Sequence, residues 1–353
     1  MKKLVLKIGS SSLFCGKSFA EKRITELALE IKKLRDNGVE VYLITSGAIA
    51  MGMNEMGLSR KPSKISSKQA LAAIGQTYLM EKYEKIFDSL SIKPAQILLN
   101  HDDFGNRTRE NNLRNTLEEL ISFGALPIIN ENDTLATEEI KVGDNDTLAA
   151  MVATTVGADM LVIISDVDGL FDKNPSVHSD AKLIKVVEKI DKNIESLAKA
   201  PTSKVGTGGM ITKLKAGKIC TSSNISMMIV GNDKIPYLSS VEKGENLGTL
   251  FTAVNDMNLR KTWILYLANV YGKIVVDDGA KEALKNRKSL LACGIVSHSK
   301  TFSANNVVEI YDKNDNLIAK GVAEVNGDDI DLLKSNKRSK VVAHADRIAL
   351  IKE

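Results

Sequence analysis

The stretch LPIINENDTLATEEIKVGDNDTLAAMVATTVGADMLVIISDVDG, residues 126–169, decides the fold class. An apolar run of strand length, 126–130, ends in Asn130 and gives way to a polar loop. Leu148, Met151, Val152 and Val156 then recur at helical spacing, and a second apolar run follows at 159–164. Both runs are apolar without alternation, the pattern of strands buried on both faces in a mainly parallel sheet covered by helices. Within the stretch the word Asn-Asp-Thr-Leu-Ala occurs twice, at Asn132–Ala136 and Asn145–Ala149. The first copy falls in a loop past a strand end. The second opens a helix, where Asp144, Asn145 and Asp146 stand before the first apolar positions. One of them suffices as an N-cap. Three together suggest a further task, such as holding an ammonium, a lysine or a magnesium ion.

The same grammar extends on both sides. Strands are predicted at 4–9, 39–44 and 96–100. Ile24, Leu27, Ala28, Ile31 and Leu34 mark one helix, a second reaches about Ser89, and Leu113, Leu117, Leu120 and Ile121 mark a third. Ser18 with Glu21, and Ser66 with Gln69, match the capping-box pattern and predict two helix starts. The fold class is α/β: a mainly parallel central sheet sandwiched by helices. Near Asn255–Lys261 the pattern changes to short strands, at 273–276, 307–311, 321–325, 341–344 and 348–351, with one helix at about 279–287. This predicts a first domain over 1–256 and a small, mostly-β domain over 262–353.

The 353 residues are 43% hydrophobic and 26% charged, ordinary for a soluble globular chain. No apolar run is long enough to cross a bilayer, and Lys7 interrupts the N-terminal run too early for a signal sequence. Cys15, Cys220 and Cys293 are odd in number and unpaired in spacing, which argues against a disulfide framework and fits a reducing cytoplasm. The four histidines make no metal-ligand pattern. Residues 1–259 hold 32 basic and 32 acidic side chains, and residues 260–353 hold 16 and 12. That excess is compatible with a polyanion partner and too small to argue for one.

In such sheets ligands bind beyond the carboxyl ends of the strands. After the first strand comes KIGSSS (7–12). Lys7 either snorkels from a strand edge or faces a phosphate, with Gly9 letting backbone amides approach oxygen. After the second comes TSGAIAMG (45–52), where Ser46 offers a hydroxyl beside the tight turn at Gly47. SDVDGLF (165–171) offers acids to a ribose, a base edge or a magnesium ion, or is a surface turn. SKVGTGGMITKLKAGKI (203–219) is a glycine-rich turn running into a helix that bears Lys213 one turn in. That is a phosphate cradle by construction, though not the G-x-x-x-x-G-K-[ST] loop. No His or Cys looks like a nucleophile. Phosphoryl transfer needs chiefly positioning and charge neutralisation.

Taken together, KIGSSS, TSGAIAMG, LPIINENDT, GDNDTLAA, SDVDGLF and GTGGMITK, in this order and spacing, resemble the amino acid kinase family, and within it the branch that phosphorylates glutamate. The tail from Trp263, with GKIVVDDGAKEAL, SLLACGI and DRIAL, is similar to the small RNA-associated PUA domain. The resemblance implies an amino acid kinase fold that transfers phosphate from ATP to the γ-carboxylate of L-glutamate, the first step of proline synthesis. It implies that Lys7 and Lys213 flank the transferring phosphate, with Asp146 orienting them. It implies that Ser165 and Asp166, with Thr207, Gly208, Gly209, Met210, Ile211, Thr212 and Lys213, bind ATP. It implies that Ser46, Asp133 and Asn145 hold glutamate. Mg²⁺ would enter with ATP, and no residue is assigned to a protein-bound metal. The resemblance further implies proline as a feedback inhibitor, hand-off of the labile product to a glutamate-5-phosphate reductase, a homo-oligomer and no membrane partner. Only KSNKRSK (334–340) joins the last strands of the tail, where family members often carry a longer helical stretch, which weakens the case for RNA contact through that surface. Two other classes stay open: a kinase of the same fold with another acceptor, and an RNA-binding protein.

Overall fold

The computed structural model describes residues 1–16, 18–135, 144–198, 209–253, 259–335 and 340–351. They form two compact units: Met1–Asn100 with Thr108–Asp256, and His101–Arg107 with Met257–Glu353. No helix among the described residues is long and apolar enough to cross a membrane.

The first unit is built on an eight-stranded sheet. Its strands are β1 (Lys3–Ile8), β2 (Glu40–Ile44), β3 (Lys93–Leu99), β4 (Ala125–Glu131), β5 (Met160–Ser165), β6 (Val186–Val187), β7 (Ser226–Gly231) and β8 (Thr249–Phe251). Their order across the sheet is β3-β4-β2-β1-β5-β7-β8-β6. Every neighbouring pair is parallel except β7 with β8. The chain runs outward from β1 in both directions, so the carboxyl ends of β1, β2, β4 and β5 lie side by side. This is where ligands bind in such a sheet.

Helices cover both faces. In α1 (Glu21–Asp36) the apolar stripe of Ile24, Leu27, Ala28, Ile31 and Leu34 is buried, as its helical spacing requires. It shares one core with Leu79 and Tyr83 of α3 (Ile65–Asp88) and with Leu4, Leu6 and Ile8 of β1. Alternation along a strand puts Val5 and Lys7 on the opposite face. There α5 (Asn145–Val156) packs against β1, β5 and α6 (Met210–Ser222). Nearly every residue of α5 is buried, which explains why its sequence lacks a polar stripe. Between α2 (Ala48–Glu55) and α3 the backbones meet: a methyl group on Gly52 would run into the carbonyl of Leu71, and one on Gly75 into that of Ala48. The helix α4 (Arg107–Ser122) buries Leu113 and Leu117.

Two predicted helix starts are corrected. Ser18 does not cap α1. It pairs with Cys15 in a two-stranded hairpin, and Ala20 precedes the helix with no side-chain cap. The hairpin is held by Phe14 and Phe19, paired across the strands with edge-to-face rings 6.2 Å apart. Ser66 lies inside the first turn of α3, which begins at Ile65 after an uncapped Lys64. Four strands of the two main sheets escaped prediction: β6, β7 and β8 in the first unit and β10 in the second.

The second unit carries a five-stranded sheet of β9 (Val270–Val276), β10 (Ile295–His298), β11 (Val307–Tyr311), β12 (Leu317–Val322) and β13 (Ile348–Leu350), in the order β10-β9-β11-β12-β13. Helix α7 (Asp278–Lys285), capped by Asp277, buries Leu284 against this core. Trp263 donates its indole N–H to the carbonyl of Phe104, 3.0 Å away, and Arg107 stacks 5.3 Å from its ring centre. Those contacts explain why His101–Arg107 groups with this unit although the chain places it between β3 and α4.

Candidate active site

Lys7 sits near the end of β1, on the face covered by α5. It is 6% exposed, and its Nζ lies 2.6 Å from Asp146 Oδ1. Lys213, on the second turn position of α6, is 5% exposed, and its Nζ lies 3.1 Å from Asp146 Oδ2. Thr212 donates its hydroxyl to the same Oδ2 at 2.8 Å. Asp146, in the first turn of α5, thus bridges two lysines from elements distant in sequence. Burial would raise the Asp146 pKa, but the Lys7 and Lys213 charges outweigh it and hold the carboxyl well below its usual range. Burial lowers the pKa of Lys7, opposed by Asp146 and reinforced by the like charge of Lys213. Two cations and one anion leave a net positive charge in a water-poor place. That is an arrangement for receiving an anion.

The frame around this triad is local. Asp144 caps α5, accepting from the Thr147 N–H at 3.2 Å and its hydroxyl at 2.7 Å, and Lys215 of α6 lies 3.6 Å from it. A Cβ on Gly9 would lie 3.6 Å from Lys7 Nζ and 3.8 Å from the Ile164 carbonyl, so the first-strand turn, the lysine and the end of β5 converge. There Ser165, 4% exposed, donates to Asp166 Oδ1 at 3.1 Å. Gly209 occupies the N-cap position of α6 in extended conformation with no side-chain cap, and Met210, Ile211 and Thr212 form the first turn. Ile211 is exposed. Thr207 and Gly208 lie outside the described residues.

Beside the triad is a second, differently built region. Asn145 precedes Asp146 in α5 and is 4% exposed. Its amide N–H groups point at the Thr45 carbonyl (2.8 Å), Ser46 Oγ (2.9 Å) and Asn130 Oδ1 (2.9 Å). Ser46 lies between β2 and α2, next to Gly47, whose φ of 91° gives the left-handed turn that starts the helix. Asn130, in β4, donates to Gln76 Oε1 of α3 at 2.8 Å. Asp133 lies in a 3-10 turn (Asp133–Leu135) packed on α3. Burial pushes its carboxyl up to about 6, partly offset by Lys61. Asn145 Oδ1, Asp133 Oδ1 and Gln76 Nε2 are buried without a partner. Native proteins rarely leave such atoms unmatched unless something else completes them.

The structure therefore brings Lys7, Asp146, Thr212 and Lys213 into one cluster, and Ser46 and Asn145 into another beside it. The sequence-based selection of residues missed Asn130 and Gln76. Asn130 carried a faint signal, an amide ending an otherwise apolar strand. Gln76 carried none, sitting in the helical run AAIGQTY.

A mainly parallel α/β sheet with two buried lysines gathered around one aspartate, at a strand end and two helix starts, is an arrangement suited to phosphoryl transfer. Comparison with known proteins agrees. Residues 2–231 match the amino acid kinase family and residues 272–345 match the PUA domain. The chain belongs to the amino acid kinase family, and its second unit is a PUA domain. It is 43% identical to the glutamate 5-kinase of Caldanaerobacter subterraneus subsp. tengcongensis, over 95% of this chain and 91% of that one. It is 41% identical to the glutamate 5-kinase of Thermoanaerobacter sp. (strain X514), over 96% and 92%. A carbamate kinase from Giardia lamblia bound to AMP-PNP shares the fold at 16% identity, with a TM-score of 0.51 over 72% of this chain and 99% of that one. As a kinase, the chain uses ATP.

Proposed function

We propose that this chain transfers the γ-phosphoryl group of ATP to the γ-carboxylate of L-glutamate, giving L-glutamate 5-phosphate and ADP, and so opens proline synthesis from glutamate. The observation that carries the proposal is the Lys7–Asp146–Lys213 cluster set beside the unmatched acceptor of Asn145. The likeness to glutamate 5-kinases over nearly the whole chain supports the choice of acceptor.

In this reading Lys7 and Lys213 lie against oxygens of the transferring phosphate, and Asp146 holds both ammonium groups in place. A γ-carboxylate oxygen attacks the γ-phosphorus, the bond to the bridging oxygen breaks, and ADP leaves. A glutamate carboxyl, with pKa about 4.3, is already ionised at neutral pH, so no general base is needed. The two lysines take up charge on the equatorial oxygens as it spreads in the transition state. Thr207, Gly208 and Gly209 with the start of α6, and Ser165 with Asp166, hold the nucleotide. Ser46, Asn145 and Asp133 hold the glutamate, with Asp133 facing its α-ammonium. The ring nitrogen of proline is also an ammonium beside a carboxylate, so proline fits the same groups and competes there.

Magnesium enters as the ATP complex and neutralises phosphate charge. The buried Asp146 carboxylate is taken by two lysines, and in this reading phosphate oxygens are the principal ligands of the magnesium.

The test is ADP release with Mg²⁺–ATP and each of L-glutamate, L-aspartate, N-acetylglutamate and UMP. Release with L-glutamate is expected. Release with another acceptor and none with glutamate overturns the assignment.

A further inference from the structure

The chain of amides beside the triad has a direction, and backbone groups set it. The Glu131 N–H donates to Asn130 Oδ1 at 2.9 Å, so Asn130 can offer only its Nδ2 to Gln76. The Thr45 carbonyl can only accept, so it fixes Nδ2 of Asn145 on its side and turns Oδ1 of Asn145 away. Gln76 must therefore receive through Oε1, and its Nε2, in a side chain 8% exposed, is left as a buried donor without a partner. Reversing any one amide would put two donors or two acceptors face to face. The relay thus ends in opposite polarities: a free donor at Gln76 Nε2 and a free acceptor at Asn145 Oδ1. Asp133 lies on a turn packed against α3, the helix that carries Gln76. A buried donor or acceptor left unmatched is costly. A ligand with a carboxylate next to an ammonium matches both polarities at once.

We infer that Gln76 is a specificity-determining residue of the acceptor site, donating its Nε2 hydrogen to the α-carboxylate of the amino acid while Asn145 and Asp133 take the α-ammonium. The inference rests on the proposed glutamate-phosphorylating function and adds to it the group that reads the carboxylate. Asn130 is a positioning residue, holding Gln76 and Asn145 in opposite senses.

The test uses a near-isosteric change and a matching change in the substrate. Gln76→Glu keeps an oxygen to accept from Asn130 and turns only the free donor into an oxygen. L-isoglutamine replaces the α-carboxylate of glutamate with a carboxamide and leaves the γ-carboxylate intact. The full-length enzyme and the variant are assayed for ADP release with both. The expected result is that the preference for L-glutamate over L-isoglutamine, as a ratio of kcat/KM, falls about tenfold or more in Gln76→Glu, with KM for ATP unchanged. Gln76→Met, which keeps the volume and removes both polar atoms, gives the same direction and serves if the first variant does not fold. A ratio equal to the wild type's, or a KM for ATP that rises with that for glutamate, overturns the inference and leaves Gln76 a structural part of the relay. A wild-type enzyme inert toward L-glutamate overturns the proposed function, and the inference with it. An active wild type with an unchanged ratio overturns the inference alone.

Discussion

Asn145 and Asp146 are neighbours in one helical turn and serve regions built on opposite plans. Asp146 is ion-paired within the protein: Lys213 and Thr212 hydrogen-bond its Oδ2, and Lys7 lies 2.6 Å from its Oδ1 as an ion pair without hydrogen-bond geometry. Asn145 keeps one buried oxygen unmatched, as Asp133 and Gln76 keep one polar atom each. In the proposed reading the phosphoryl end has its charges paired before any substrate arrives, and the acceptor end is completed only by its ligand. The difference suits the two tasks. Stabilising a spreading negative charge calls for groups that need not reorganise, whereas choosing one small molecule among many calls for polar atoms that are penalised when the wrong one binds.

If that contrast holds, substitutions at the two ends should fail in different ways. The largest effect is expected from Asp146→Asn. Two buried ammonium groups would then face each other without a neutralising charge, and losing one partner of a buried ion pair is worth about 3–5 kcal/mol. Thermal melting should show a lower Tm, and kcat should fall by about 10²–10³-fold. Next is Lys213→Ala, for which kcat should fall more than about tenfold while KM for glutamate barely moves. A change confined to KM would place Lys213 outside the transition state and blur the comparison.

Asp133→Asn should do the reverse. KM for glutamate should rise about tenfold with kcat little changed, because a uniform binding contact is lost. Its Tm at pH 7.5 should hold or rise. Burial pushes the Asp133 pKa up to about 6 from 3.8, so between those values the folded protein binds the proton more readily than the unfolded chain. Asp133 therefore favours folding below that window and loses that contribution as pH rises through about 6. Ligand binding has the opposite sign: kcat/KM for glutamate should drop as pH falls through about 6, and the Asn variant should lose that limb. The smallest effects concern helix starts, one real and one only apparent. Asp144→Ala removes the cap of α5 and should cost about 1 kcal/mol by denaturant unfolding. Ser18→Ala, at a position that resembles a cap and is not one, should stay within about 0.5 kcal/mol.

Much of this was legible in the sequence, for physical reasons. Strands buried on both faces write continuous apolar runs, and helices with one buried face write a 3.6-residue stripe, so β1, β2, β4, β5 and α1 stand out. Lys7 was visible because an ammonium in an apolar strand needs a counter-charge. The capping boxes misled because a four-residue word says nothing of the rings flanking it, and the Phe14–Phe19 pair claims Ser18 for a hairpin. The amide relay was out of reach for another reason. Gln76, Asn130 and Asn145 come from three elements, and an amide's role is set by which of its two atoms faces the backbone, a property of the folded chain.

The most direct test compares L-glutamate with N-acetylglutamate, the same γ-carboxylate with its ammonium blocked. The phosphoryl end is indifferent to the change, and the acceptor end is left with Asn145 Oδ1 and Asp133 unmatched. For N-acetylglutamate kcat/KM should fall by about 10⁴-fold or more, the discrimination reached when buried polar groups lose their partner. If N-acetylglutamate is phosphorylated as well as glutamate, the unmatched atoms do not read the substrate and the contrast between the two ends is wrong.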